Sequence, residues 1–486
     1  MQMNTDSNKG AKYLAKNMGL IGIGTFSTSL LSFFLVPLYT SVLSTSEYGN
    51  YDLINTTVAL LMPFLTLSIE EPVMRFALDN NKDLKNVFTV GLKHVIIGIV
   101  LIAILTACNH FFGLFKVIDD FWLLFILMYS FTSISNLLIF FARGIERVSD
   151  VAVSGVIGTL VSILCNIVFL IPLHMGLLGY FLAHIAGTAF QSLFIFIRVK
   201  CWQYIGSFKN INKKQEESMI RYSVPMIANT VSWWINNASD RYIVTWFNGV
   251  STNGIYSVAY KIPSILNVFQ RIFLQAWTIS AVKDFDPEDK NGFFSNLYNS
   301  YNFLMVFSCS ALILLTKPIA YILYAKEFYS AWVYVPFLMI SIVFGALNGY
   351  MGGIFSAVKK SKMYAISTAI GAAVNTVLNI VLVYSIGALG AAIATAVGYW
   401  VVWVVRRRYM LRYLHVKMHL FRDYISYILL VFQSVILIYL TNNDTILYVI
   451  QFGIVFLIVI IYYSELKFVI KKVSAFISGR KRCIET

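Results

Sequence analysis

A polar stripe runs through an otherwise apolar stretch over residues 220–247. Its members recur at steps of four, three and four residues, which places them on one face of an α-helix. Polar side chains inside an apolar helix need water, a partner or a ligand, because burying them alone costs free energy. The stripe consists of Asn229, Trp233, Asn236 and Asp240, and Arg241 follows directly.

The next apolar stretch, residues 254–280, carries a second stripe. Asp240 and Lys261 are both predicted to lie roughly 10 Å below the outer membrane surface, at 1.5 Å per helical residue. Asp240 could pair with Lys261 or Arg241 merely to neutralise buried charge, or the charges could line a water-filled cavity that binds an anion. The basic surplus favours the cavity, because a buried cation without a counter-ion is costly. The second stripe consists of Tyr260, Ser264, Asn267 and Arg271, with Lys261 beside it.

Acidic residues mark a third apolar stretch, residues 51–70. Asp52 lies at its predicted outer entry, Glu70 is near its inner end, and Arg75 follows just beyond. Each ionisable group at membrane depth costs about 2.5–3.5 kcal/mol on insertion scales, so each calls for a partner or a function. The three stretches are therefore the first place to look for a functional site.

The sequence contains no pattern typical of an enzyme. The six histidines and five cysteines show no metal-ligand spacing, and there is no phosphate-binding loop or nucleophile motif. We expect no enzyme activity, no cofactor and no metal. Uphill transport would then have to draw on a gradient of protons or another ion.

The composition places these stretches in a membrane protein. Of the 486 residues, 58% are hydrophobic and only 13% are charged, against about 25% charged in soluble domains. The net charge of +15 is explained by membrane topology and by contact with anionic lipids, so it does not indicate nucleic acid. We therefore expect an all-α integral membrane protein.

An α-helical span needs roughly 20 mostly apolar residues, and about 14 segments meet this requirement. One set of the alternating loops, which includes both termini, holds 31 Lys and Arg, against three in the opposite set. The positive-inside rule then predicts that both termini are cytoplasmic. The predicted spans are 17–38, 51–70, 88–110, 121–142, 150–172, 176–198, 220–247, 254–280, 293–315, 331–356, 363–384, 388–405, 424–441 and 445–463.

Residues 147–187 repeat at 360–398, with Arg147 and Lys360 aligned at an offset of 213. The offset covers six predicted helices, which indicates two pseudo-symmetric six-helix lobes of the same orientation, as in alternating-access transporters. The glycines of the repeat are expected to allow close helix packing. The predicted organisation is an N-lobe over 1–199, a basic linker over 200–219, a C-lobe over 220–411, two extra C-terminal helices over 412–464 and a basic tail over 465–486.

Two segments near the N-terminus, VPLYTSVLSTSEYGNYDLI at 36–54 and EEPVMRFA at 70–77, resemble those of the bacterial polysaccharide flippases. These exporters of O-antigen and capsule repeat units share a superfamily with multidrug exporters and peptidoglycan-precursor flippases. The span number, the duplication, and the segments DRY at 240–242 and YKIP at 260–263 agree with that family. The resemblance covers nearly the whole chain.

The resemblance implies a function in the bacterial inner membrane. An undecaprenyl-diphosphate-linked oligosaccharide would move from the cytoplasmic to the outer leaflet through a cavity between the lobes. Implied partners are that substrate, anionic lipids, and the polysaccharide polymerase and chain-length machinery. In the implied cavity, Arg75, Arg241, Lys261 and Arg271 would bind the diphosphate or acidic sugars beside Asn229, Trp233, Asn236 and Asn267, while Asp52, Glu70 and Asp240 would balance charge or respond to coupling ions.

Two other functions fit parts of the pattern. An ion-coupled multidrug exporter would share both lobes, but a pump for cationic drugs should have an acidic cavity, whereas basic residues dominate here. A membrane polysaccharide polymerase or ligase would have large outer loops for catalysis. The longest predicted outer loops are too short for that.

Overall fold

The computed structural model describes residue 28 and residues 31–79, 83–283, 285–440 and 443–471. The described residues form α-helices and short 3-10 turns, with no β-strand among them. This confirms the all-α prediction. Most of the predicted span 17–38 and of the basic tail 465–486 lies outside the described residues.

Contacts divide the chain into two compact units. The first contains residues 1–257 and 324–328. Its helices are α1 (Val36–Val42), α2 (Thr45–Leu65), α3 (Glu70–Ala77), α4 (Leu84–Phe112), α5 (Lys116–Asp120), α6 (Trp122–Gly144), α7 (Val148–Leu170), α8 (Gly176–Val199), α9 (Lys213–Asn248) and most of α10 (Val250–Ala259).

The second unit contains residues 258–323 and 329–486. Its helices are α11 (Ser264–Lys283), α12 (Phe293–Leu314), α13 (Thr316–Leu323), α14 (Val335–Ala357), α15 (Ser361–Ile386), α16 (Ala388–Met410), α17 (Leu420–Tyr439) and α18 (Asp444–Ile461). The predicted lobe boundary at 220 stays a prediction, and α9 lies in the first contact unit.

Ten described helices are long and apolar enough to cross a membrane, and an eleventh counts if α2 and α3, bent by 58°, form one span. The count of 14 is therefore not confirmed. Four predicted spans are not among these ten helices. They are span 17–38 and the three spans that carry the predicted site residues. Span 51–70 is bent between α2 and α3, span 220–247 lies in the polar helix α9, and span 254–280 is interrupted between α10 and α11.

Each unit has its own packed interior. In the first, Phe88 and Phe141 are buried with their ring centroids 4.7 Å apart, and Ile195 and Cys201 belong to the same apolar cluster. In the second, Trp277 stacks on Tyr350 at 4.5 Å. Many large apolar side chains remain exposed along the long helices, as expected of surfaces that face lipid.

The sequence repeat is visible in the helix bounds. Helices α6 and α7 begin at Trp122 and Val148, and α14 and α15 begin 213 residues later, at Val335 and Ser361. The following hairpins pack closely in both copies. A Cβ on Gly158 would lie 2.9 Å from the carbonyl oxygen of Gly187, and a Cβ on Gly371 would lie 3.3 Å from that of Gly398. The repeated glycines thus allow close helix packing in both units.

Candidate functional site

Helix α2 begins at a capping box that its sequence specifies. The Ser44 hydroxyl accepts the Glu47 N–H, and the Glu47 carboxylate accepts the Ser44 N–H. From its first residue to Gly49, α2 packs against α10 without room for side chains. A Cβ on Gly254 would lie 1.9 Å from the Thr45 carbonyl oxygen, and one on Gly49 would lie 2.2 Å from that of Val250. These two glycines bring the helices into backbone contact.

This contact places Asp52 in a buried polar cluster. Asp52 is 8% exposed, and its Oδ2 accepts the Ser257 hydroxyl at 2.6 Å and the Asn253 amide at 3.5 Å. The Arg241 Nε lies 3.1 Å from the same oxygen. Asp52 is therefore positioned as a counter-ion of Arg241, the geometry that a charge-balancing role requires.

Asp240 lies one residue before that arginine and has its own partners. It is 3% exposed; its Oδ2 accepts the Tyr256 hydroxyl at 2.7 Å, and its Oδ1 accepts the Arg241 backbone N–H at 3.0 Å. The two acids that were predicted in separate spans thus belong to one cluster in the first unit. Arg241 forms an ion pair with Asp52.

The rest of the predicted stripe on α9 is described only in part. Asn236 is buried and donates to the Ser232 carbonyl oxygen, one turn earlier, at 2.9 Å. The backbones of Asn229 and Trp233 lie in α9, but their side chains lie outside the described residues. Helix α9 itself begins at Lys213, within the predicted linker, where the Asn212 side chain accepts two backbone N–H groups.

Glu70 and Arg75 lie beyond a sharp bend. Leu67 and Ser68 both have positive φ, of 55° and 47°, a conformation that L residues rarely adopt. Helix α3 starts at Glu70, whose carboxylate accepts the Thr66 hydroxyl at 3.4 Å. Arg75 is exposed at the other end of this short helix.

The second predicted stripe is not continuous. Lys261 lies in a turn between α10 and α11, and the carbonyl oxygen of Pro263 accepts one of the first hydrogen bonds of α11. Tyr260 is therefore not on the same helix as the other members of the stripe. Asn267 and Arg271 do share a face of α11, and the Arg271 Nε donates to the Asn267 carbonyl oxygen at 3.5 Å. Arg271 is exposed and makes no ion pair with any residue that the structure describes.

The sequence analysis missed the neutral partners of the acids. Asn253, Tyr256 and Ser257 were not predicted as hydrogen-bond donors to these carboxylates. A signal existed, since Asn253 and Ser257 are four residues apart and therefore share one helical face. Within the described ranges, no group of three His, Cys, Asp or Glu side chains could hold a metal ion.

Comparison with known sequences decides the family. Residues 14–278, more than half of the chain, match the family described as "Polysaccharide biosynthesis protein". The chain belongs to this family. A curated member of the wider group, the "Probable low-salt glycan biosynthesis flippase Agl15" of Haloferax volcanii, is 23% identical over 216 residues. That match covers 43% of this chain and 45% of the relative, less than half the length of either.

Solved structures show that the polysaccharide biosynthesis family member has a transporter fold. The lipid II flippase MurJ, in an inward closed conformation, matches with a TM-score of 0.67 at 15% identity, over 92% of this chain and 98% of that one. An inward-facing multidrug resistance MATE family transporter of the MOP superfamily matches with a TM-score of 0.63 at 15% identity, over 79% and 94%. The fold is therefore the MurJ- and MATE-like fold, and these relatives are flippases and transporters rather than enzymes.

Proposed function

We propose that this protein is a flippase of the bacterial inner membrane. Its substrate is an undecaprenyl-diphosphate-linked oligosaccharide repeat unit, which it moves from the cytoplasmic to the outer leaflet by alternating access through a cationic central cavity. The family match and the glycan biosynthesis flippase among the relatives support a lipid-linked glycan as substrate. The parallel repeat supports alternating access.

The single observation that carries the proposal is the state of Arg271. Its guanidinium is exposed on α11, and it makes no ion pair with a described residue. A cation at membrane depth costs about 2.5–3.5 kcal/mol unless water or an anion surrounds it. Arg241 differs, because Asp52 already lies 3.1 Å from its Nε. Arg271 is therefore the proposed primary ligand of the diphosphate.

The other predicted residues take supporting roles in this proposal. Arg75 and Lys261 add positive charge, and Asn267 offers an amide on the same face of α11 as Arg271. Asp52, Glu70 and Asp240 balance the cations or respond to a coupling proton or other ion. Arg241, Asn229, Trp233 and Asn236 complete the proposed polar lining.

The test is mass spectrometry of lipid-linked intermediates in a strain that lacks the gene. We expect undecaprenyl-diphosphate-linked repeat units to accumulate on the cytoplasmic face, and a plasmid copy of the gene should clear them. A normal pool of intermediates with normal surface polysaccharide would contradict the proposal.

The second candidate is an ion-coupled multidrug exporter, which the MATE structural match favours. It predicts that the deletion strain becomes sensitive to cationic dyes and drugs while its lipid-linked intermediates stay normal. The same strain therefore separates the two functions.

A further inference from the structure

A cavity in the second unit adjoins the predicted cytoplasmic loop between α14 and α15. Its volume is about 630 Å³, within the range of roughly 300–1,000 Å³ typical of small-molecule sites. Three glycines of α14 form part of its wall, and at Gly352 the Tyr364 ring packs against the helix backbone. Its polar and flanking residues include Thr278, Gly352, Gly353, Ser356, Lys359 and Tyr364.

Lys359 is the cation at this cavity, and the backbone fixes its position. Its φ is 55°, in the left-handed region that usually favours glycine at a helix C-terminus. Its N–H donates to the Ser356 carbonyl oxygen at 3.2 Å, and the N–H of Lys360 donates to the carbonyl oxygen of Phe355 at 2.9 Å. The turn thus places Lys359 at the rim of the cavity.

A second cation lies behind Tyr364. Arg406 is only 2% exposed, and its guanidinium carbon lies 3.9 Å from the centroid of the Tyr364 ring. Its N–H groups donate to Ser367 Oγ at 2.9 Å, to Thr368 Oγ1 at 2.7 Å and to a backbone carbonyl oxygen. All these partners are neutral. No described carboxylate forms an ion pair with Arg406, so its charge is not cancelled locally.

The cavity also lies on the Arg271 face of α11. Arg271 and Thr278 are seven residues apart, two turns along one face of the helix, or about 10 Å. Lys359 and Arg406 therefore raise the positive potential at a cavity from which a ligand could move along α11 to Arg271. Electrostatic interactions are stronger in such partly buried surroundings than in bulk water.

We propose that this cavity is a docking site for the diphosphate of the lipid-linked substrate, on the side predicted to be cytoplasmic, before it reaches Arg271. Lys359 binds a phosphate oxygen, and Arg406 contributes its charge through the Tyr364 ring. The Ser356 and Thr278 hydroxyls, which donate to carbonyl oxygens one turn earlier in their own helices, rotate to donate to the phosphate when it binds. The proposal rests on the proposed function, because it takes its ligand from there. It adds a second phosphate site, formed by the second unit alone.

The experiment measures binding of inorganic pyrophosphate to the purified full-length protein by isothermal titration calorimetry. Lys359→Glu should raise the Kd at least tenfold, whereas Lys359→Arg should keep it within about threefold. Ser356→Phe should weaken binding by filling the cavity from an exposed position. The matched control is Lys360→Glu, which makes the same charge change one residue away and should change the Kd less than twofold. Circular dichroism and gel filtration establish that each variant is folded.

Two arms identify the source of the phosphate. In nanodiscs, undecaprenyl diphosphate should displace pyrophosphate from the wild-type protein, and phosphatidylglycerol at the same mole fraction should not. Equal displacement by phosphatidylglycerol would overturn the assignment to the substrate. Equal losses in Lys359→Glu and Lys360→Glu, or no measurable binding to the wild-type protein, would overturn the site itself.

Failure of the site and failure of the proposed function can be told apart. If the deletion strain accumulates lipid-linked glycans but the two charge variants bind pyrophosphate alike, only the docking site fails. If the deletion strain accumulates none, the proposed function fails, whatever the two variants bind. The assignment of the ligand to the substrate then falls with it.

Discussion

The two copies of the repeated hairpin share a backbone and differ in charge. In the first copy, the Glu146 N–H donates to the Arg143 carbonyl oxygen at 3.0 Å, and the φ of Glu146 is 63°. In the second copy, the Lys359 N–H donates to the Ser356 carbonyl oxygen at 3.2 Å, and the φ of Lys359 is 55°. The turn is therefore conserved in geometry within one chain. An acid stands in the first copy where a base stands in the second.

The interiors of the hairpins differ in the same sense. In the first copy, buried Asp150 lies 3.5 Å from Arg147 and 3.3 Å from Arg198. The repeat places Met363 at the position of Asp150, so this carboxylate has no counterpart in the second copy. In the last helix of the hairpin the offset between the copies is 211, as Gly187 and Gly398 show. This alignment places buried Arg406 where the first copy has buried Ile195. Asp150 offsets part of the positive charge of the first copy, and the second copy lacks this carboxylate, which leaves positive charge that an anionic substrate could use.

The largest expected effect comes from removing the cations of the second unit. Arg271→Ala and Lys261→Ala should each reduce export at least 100-fold without affecting membrane insertion, because their charge serves the substrate. Arg271→Lys should recover only part of it, since an ammonium cannot bind a diphosphate with two parallel hydrogen bonds as a guanidinium does. Surface polysaccharide and lipid-linked intermediates report the effect.

Lys283 provides the control for these variants, because it is an exposed cation at the end of the same helix. Lys283→Ala should leave export within twofold of the wild type. Full polysaccharide output from both Arg271→Ala and Lys261→Ala would remove the second unit's cations from the mechanism.

A crosslink tests whether α2 and α10 must separate at their starts during transport. The Thr45 and Ser251 hydroxyls lie 2.7 Å apart, so cysteines there should form a disulfide in a cysteine-free background. Export should fall in proportion to the locked fraction and return on reduction, as expected if rocking opens the outer side. Each single cysteine serves as the control.

One native cysteine does not interfere with this crosslinking experiment. Cys201, in the turn after α8, is buried, and burial raises the pKa of its thiol to about 12, so it is protonated and unreactive at neutral pH. Cys108 is exposed and has to be replaced. Undiminished export from a fully crosslinked protein would show that α2 and α10 need not separate at their starts for transport.

A stability measurement compares a buried with an exposed ion pair in the first unit. Asp52→Asn keeps an acceptor for Ser257 but removes the negative charge 3.1 Å from the Arg241 Nε, and breaking this buried ion pair should cost about 3 kcal/mol. Glu217→Gln removes an exposed partner of Arg221, 3.1 Å away, and should cost about 0.5 kcal/mol or less. Thermal unfolding in detergent measures both. Similar losses would mean that Asp52 does not stabilise Arg241.

Much of the fold could be predicted from hydropathy. Runs of about 20 apolar residues identified all ten span candidates, and the offset of 213 found in the sequence recurs in the starts of α14 and α15. The bends could not be placed in this way, because a window of apolar residues does not register a local break. The interruption at Lys261 and the positive φ values at Leu67 and Ser68 depend on backbone geometry that composition does not encode.

The site was harder to predict than the fold. Helical spacing grouped residues on one helix, as for Asn267 and Arg271, but could not show that Asp52 meets Arg241 from a distant part of the chain. Lys359 and Arg406 were interpreted only as topology signals, because a basic residue at a helix end has the same sequence pattern whether it is solvated or buried. The burial of Arg406 becomes apparent only in three dimensions.

The smallest expected effect tests whether the turn alone makes a phosphate site. Glu146→Lys gives the first copy the same residue in the same left-handed turn as Lys359, so backbone strain and stability should change by less than about 0.5 kcal/mol. Pyrophosphate binding and export should both change less than twofold. At the positions of the cavity glycines Gly349, Gly352 and Gly353 the first copy carries Asn136, Ile139 and Phe140, so the lining of the cavity is not repeated there. A second pyrophosphate site in Glu146→Lys, equal in affinity to the first, would show that a lysine in this turn suffices and that the cavity of the second unit is not required.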